Sequence, residues 1–204
     1  MRPRPPELIF DLEGPNFVPA PDVSEWINDT FIDAGAEIEN PDHAHLRHAT
    51  IGVLWTSVTN ARQGRSVVGQ AEEGSPRAMG RWAKARAEQQ VVEWFGEIPD
   101  FIITLDSSYC AQASDIEFCA LVDHELYHCA QDRDQYGAPK FRKDTGRPAF
   151  TMRGHDVEEF IGVVRRYGAD AAGVRALVDA AAQQPTIARV SIAQACGTCL
   201  LKVA

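Results

Sequence analysis

A chain of 204 residues is long enough to bury a sizeable core and short enough for one domain with decorations. Its 45% hydrophobic and 24% charged residues are those of an ordinary soluble globular protein. A formal net charge of −9 argues against a general phosphate-binding surface, so a nucleic-acid partner is not expected. No apolar run approaches the ~20 residues that span a bilayer, and no membrane association is expected. After the basic start Met1-Arg2-Pro3-Arg4-Pro5-Pro6, only Leu8-Ile9-Phe10 follows before Asp11, too short for a signal-peptide core. The expected location is the cytoplasm, where five Cys stay reduced.

Residues 1–20 are rich in Pro and lack periodicity, and they read as an extended, partly disordered arm. Pro21-Asp22-Val23-Ser24 opens a helix in which Trp26, Ile27 and Phe31 recur at near-helical spacing through residue 34. Asn40-Pro41-Asp42 breaks it. His43, His45 and His48 follow at spacings of two and three, which fit neither one helical face nor a metal pattern. Polar surface is the expectation for all three. The run ATIGVLWTSV (49–58) is β-branched and aromatic and predicts a strand. Asn60 to Gly64 predicts a turn, with Arg65 to Glu72 pairing back as a hairpin that Gly74-Ser75-Pro76 ends.

Helical spacing returns from Ala78 to Phe95, and FIITLD (101–106) predicts a short strand. Ser114 with Glu117 three residues on forms a capping-box signature. It opens a helix expected from Asp115 to Gln131, apolar on most sides and hence central. Residues 132–147 read as a polar surface loop and 147–152 as a short strand. A helix is expected from His155 to Tyr167, stopped by Gly168, and another from Ala169 to Ala182. TIARVSIAQA (186–195) is a final apolar stretch. The order predicts an α+β fold, a small mixed or antiparallel sheet packed on helices. The expected domain runs from 21 to 168, with 169–204 as a C-terminal helical extension packed on it.

The central helix carries His124-Glu125-Leu126-Tyr127-His128. Residues four apart share a helix face, so both imidazoles can reach one metal ion while Glu125 lies beside them. Two His ligands with a carboxylate that activates a water is the arrangement of zinc peptidases. Such sites use three protein ligands. Asp134 lies where an HExxHxxGxxD pattern puts a ligand, but Gln131 stands where that turn favours Gly. His155 opens the next predicted helix and is favoured, with Asp156 beside it as an acceptor. Glu158 or Glu159 would instead complete a His-His-Glu set.

FIITLD (101–106), ALVDHELYHC (120–129) and GHDVEEF (154–160) together resemble the putative phage metallopeptidase family over residues 45–168. More distantly they are similar to SprT-type zincins, in which a later His-x-x-x-aromatic helix follows HExxH. The resemblance implies a zincin-like fold, Zn²⁺ held by His124, His128 and His155, and Glu125 as the general base acting on a peptide or protein substrate. Asp123 and Asp156 are candidates for orienting the imidazoles. Tyr109, Tyr127, Tyr136 and Arg153 are all chemically able to stabilise an oxyanion, although Tyr127 lies off the His face and reads as core. Strand 101–106 is expected at the sheet edge, where an extended peptide adds as a strand. The alternatives are a non-catalytic partner-binding protein on the same scaffold, which an intact Glu125 disfavours, and a nucleic-acid-associated peptidase. Cys196-Gly197-Thr198-Cys199 lacks a second ligand pair and reads as free thiols, while Cys119 and Cys129 read as small buried hydrophobes.

Overall fold

The computed structural model describes residues 1–11, 13–62, 64–157, 161–171 and 173–187. Met1–Arg153 forms one compact unit and Gly154–Ala188 a second. The architecture is α+β, built on a small mixed sheet of four strands.

The N-terminal segment is part of that sheet rather than a loose arm. Phe17–Pro19 forms β1 and pairs antiparallel with β2 (Ile51–Thr56), and Ile9 is buried. Arg2 is 1% exposed, with its Nε–H donating to Asp115 Oδ1 at 2.8 Å and its guanidinium 4.6 Å from the centre of the Phe118 ring. The guanidinium also donates to the carbonyls of Cys110 and Ala113. Pro-rich composition suggested disorder because these partners lie more than 100 residues away in the chain.

Helix α1 (Pro21–Ile27) follows β1 and buries Val23, Trp26 and Ile27. The expected hairpin on β2 does not form. Asn60–Arg62 (β3) pairs only with Arg65–Val67 (β4), and Gly69–Glu73 (β5) pairs antiparallel with β6 (Phe101–Asp106). β2 and β6 run parallel, joined by a crossover that contains α2 (Arg81–Phe95). The strand order is β1-β2-β6-β5, so β6 is interior and β5, not 101–106, is the edge. Burial explains the swap. FIITLD is almost continuously apolar and is covered on both faces, whereas GQAEE is short and polar, as edge strands are.

One sheet face presents Val53, Trp55, Phe101, Ile103 and Leu105 to the main core. The other presents Leu54 and Ile102 to Val91, Trp94 and Phe95 of α2. Gly52 lies under the Phe95 ring, and a Cβ there would stand 2.8 Å from ring carbons.

Asp106 caps α3 (Ser107–Gln112) by accepting from the Tyr109 N–H, in what the sequence suggested was loop. Ser114 and Glu117 then form the expected capping box at the start of α4 (Asp115–His128). Phe118, Val122 and Leu126 of α4 complete the main core. The helix ends at His128, three residues earlier than predicted, because Cys129–Gln131 (β7) leaves directly to pair with Phe150–Met152 (β8).

In the second unit, residues 155–157 are irregular rather than helical, and 158–160 lie outside the described residues. α5 (Ile161–Ala171) is broken at Gly168, whose φ of 84° leaves the helical region where the sequence predicted a stop. α6 (Arg175–Ala181) begins at Arg175, which donates to both carboxylate oxygens of Asp170. No helix among the described residues is long and apolar enough to cross a membrane. Cys196, Cys199 and residues 188–195 lie outside the described residues.

Two predictions follow from this burial. Arg2→Ala removes the buried guanidinium that pairs with the Asp115 carboxylate, whose side chain is 4% exposed, and is expected to destabilise the protein by about 3–5 kcal/mol in urea unfolding. A loose arm would give no change. Burial pushes the Cys110 thiol up to about 12, opposed by Arg2 and assisted by Asp106. The unfolded thiol therefore ionises first, and stability falls as pH rises from about 9 toward 12. In a series of unfolding curves across that range, Cys110→Ala should flatten the slope.

Candidate metal centre

His124 and His128 occupy one face of the last turn of α4, with their rings edge to face and centroids 5.0 Å apart. Their Nε2 atoms stand 3.3 Å from each other. His128 Nδ1 lies 2.7 Å from the Arg153 carbonyl, which only accepts, so Nδ1 carries the proton and Nε2 presents its lone pair. The Arg153 N–H donates back to the His128 carbonyl at 2.9 Å. This two-way contact continues the β7–β8 ladder past its last pair, Cys129 with Met152.

His155 lies two residues beyond Arg153, and one ligand atom from each of His124, His128 and His155 falls within 4.8 Å of the others. The donor set can be tested against a metal directly. Two nitrogens bound tetrahedrally at ~2.0–2.1 Å stand ~3.3–3.4 Å apart, which the His124–His128 pair already matches. Three imidazole nitrogens, two exposed and one half-buried, fit a solvent-accessible divalent cation.

Glu125 is 3% exposed and lies under the start of β5. A Cβ on Gly69 would stand 2.6 Å from Glu125 Oε1 and 2.8 Å from Leu121 Cδ1, so the strand can approach the carboxylate this closely only through a glycine. Sequence reasoning missed Gly69. Its only signal there is a glycine inside a strand-like run, which marks close backbone approach without naming the partner.

Other sequence candidates are engaged elsewhere. Asp134 Oδ1 accepts from the backbone N–H groups of Tyr136 and Ala138, building a turn in the 132–147 loop. Glu158 and Glu159 lie outside the described residues. Asp123 Oδ1 is held by His43 Nε2 at 2.7 Å and Asn40 Nδ2 at 3.1 Å, on the face of α4 next to His124 and His128. Asp156 is exposed next to His155. Tyr136 is 85% exposed, Tyr109 packs against the core, and Arg153 contributes its backbone to His128. Tyr127 is not core. It is 39% exposed, accepts from Asn40 Nδ2 and donates from its hydroxyl to Asp42 Oδ2, and burial pushes its phenol above the usual range.

The upstream histidines also depart from expectation. Pro41–His48 is a 3₁₀ helix capped by Asn40, and its three-residue repeat places His43 and Leu46, each 1% exposed, on one buried face. An α-helical template hides that repeat. His45 Nε2 reaches the Cys129 carbonyl at 2.8 Å, and His48 remains exposed.

A family model described as putative phage metallopeptidase matches residues 24–182. No curated protein and no solved structure matches the chain.

Gly69→Ala forces a methyl group against the Glu125 carboxylate and the Leu121 side chain. Overpacking of this kind costs about 1–3 kcal/mol, to be read from the shift of the urea midpoint, while the three histidines are untouched.

Proposed function

We propose that this chain, which belongs to the putative phage metallopeptidase family, is a zinc-dependent peptidase with Glu125 as its general base. The observation that carries the reading is the 3.3 Å convergence of His124 and His128 Nε2 with His155 close by and Glu125 buried alongside. Three protein ligands with one position left over characterise hydrolytic zinc, whereas structural zinc is closed by four. The fold is then zincin-like, an HExxH helix lying against a small sheet.

A bound Zn²⁺ supplies Lewis acidity, polarising the scissile carbonyl and acidifying a water so that it can be deprotonated near neutral pH. The chain's own groups do the rest. Glu125 takes the proton of the attacking water on a carboxylate oxygen and passes it to the leaving amine. Gly69 leaves the room that this carboxylate needs, and β5 above it keeps bulk water from one side. The Arg153 carbonyl holds His128 in the tautomer that offers Nε2 and makes the ring a stronger donor to a cation.

The sheet edge supports a peptide as the substrate. Among the described residues β5 ends the sheet, and an extended peptide can add along such an edge as a further strand. Since β5 begins at Gly69, against Glu125, a peptide laid along it passes beside the base. Three buried thiols, Cys110, Cys119 and Cys129, agree with a reducing cytoplasm.

Glu125→Gln is expected to retain stoichiometric zinc by elemental analysis while lowering peptide hydrolysis by at least about 10²-fold, the scale of a lost general base. Wild-type protein without zinc after growth in zinc-supplemented medium would overturn the reading. A zinc-loaded wild type inert toward a broad peptide library would leave a binding protein on the same scaffold.

A further inference from the structure

We propose that His43 and His45 are positioning residues for the metal centre, bracing the last turn of α4 from the face next to His124 and His128. This rests on the metal-site reading above. The brace has three points of attachment, at residues 123, 127 and 129, which bracket the HExxH element.

At the first, the His43 Nε2–H donates to Asp123 Oδ1 at 2.7 Å, and Asn40 Nδ2 donates to the same oxygen at 3.1 Å. At the second, Asn40 Nδ2 also donates to the Tyr127 hydroxyl at 3.1 Å, and that hydroxyl donates to Asp42 Oδ2 at 2.9 Å. The His43 ring stands edge-on to the Tyr127 ring with centroids 4.7 Å apart. At the third, the His45 Nε2–H donates to the carbonyl of Cys129, the residue that caps α4, at 2.8 Å. A helix end leaves carbonyls without intrahelical partners, and His45 supplies one there. Asn40 is itself fixed, because its Oδ1 accepts from the Asp42 N–H at the start of the 3₁₀ helix.

The brace matters because the three ligands are not all on α4. His124 and His128 move together if the helix turns about its axis, and His155 does not. With side chains reaching ~5–6 Å from the axis, a rotation of about 10° carries both Nε2 atoms about 1 Å. Metal–ligand distances tolerate deviations of about 0.2 Å, so that rotation breaks the three-nitrogen set while leaving the helix intact. His43 acts through Asp123, and His45 through the Cys129 carbonyl. Neither touches the metal position.

The test uses the full chain and measures Zn²⁺ affinity by competition with a chromophoric chelator, together with the visible absorption of the Co²⁺-loaded protein. His45→Ala and Asp123→Asn are the main variants, both at positions that are not fully buried, with His43→Gln added and circular dichroism to confirm the fold. Folded His45→Ala and Asp123→Asn are expected to bind Zn²⁺ about 10–100-fold more weakly, with altered Co²⁺ bands, and His45→Gln, which keeps a donor, to recover part of the loss. Wild-type affinity and an unchanged Co²⁺ spectrum in both folded variants overturn the brace alone. Failure of the wild type to take up either metal overturns the metal centre, and the brace with it.

Discussion

The two-way hydrogen bonding between His128 and Arg153 governs the rest of the site. Arg153 donates its N–H to the His128 carbonyl and accepts the His128 Nδ1–H on its own carbonyl. One residue thus closes the end of α4 and sets the tautomer of His128. The same ladder fixes the register of β7 on β8, so the chain emerges from the pairing two residues short of His155. A helix continued to Gln131 would keep Cys129–Gln131 from pairing and would remove the Arg153 clasp. The early helix end and the third imidazole therefore have a common cause.

The carboxylate of Glu125, between His124 and His128 in the chain, is governed by a second constraint, close packing. Glu125 is nearly fully buried, and burying a carboxylate is costly without polar company. The sheet order brings the edge strand to it, and only glycine at residue 69 keeps the strand from colliding with it. Placing β5 rather than β6 at the edge has a further consequence. β6 can be almost continuously apolar because it is covered by α4 on one face and α2 on the other, and its ladder holds β5 in place.

Local signals were legible in the sequence and distant pairings were not. The Ser114–Glu117 capping box, the HExxH helix, the Phe101–Asp106 strand and the break at Gly168 each depend on neighbours within a few residues, and each formed as read. The proximity of His155 to the HExxH pair was likewise anticipated, on chemistry and family resemblance rather than on structure. The helix end at His128 was not, because a helical pattern does not show where a strand partner 20 residues on will take over. The hairpin on β2 was inferred from adjacency in sequence, whereas β5 found its partner across α2. Arg2 falls in a segment whose Pro-rich composition reads as a loose arm, and His43 in a cluster that reads as polar surface, yet each is buried against one carboxylate, Asp115 or Asp123. Composition cannot anticipate such pairs.

Helical geometry explains why α4 has a weak amphipathic pattern despite its central role. At about 100° per residue, Phe118, Val122 and Leu126 form one stripe, and Asp123 and Tyr127 the next. His124 and His128 follow, and Leu121 and Glu125 return the circuit to the core. Each stripe has its own neighbour: the sheet core, the Asn40–His48 segment, the cation position and β5. A helix touched on so many sides cannot show a polar face and an apolar face, so its sequence looks mixed. The polar residues of α4 are thus explained by what they face, and the histidine stripe faces the position where the three imidazoles could hold a cation.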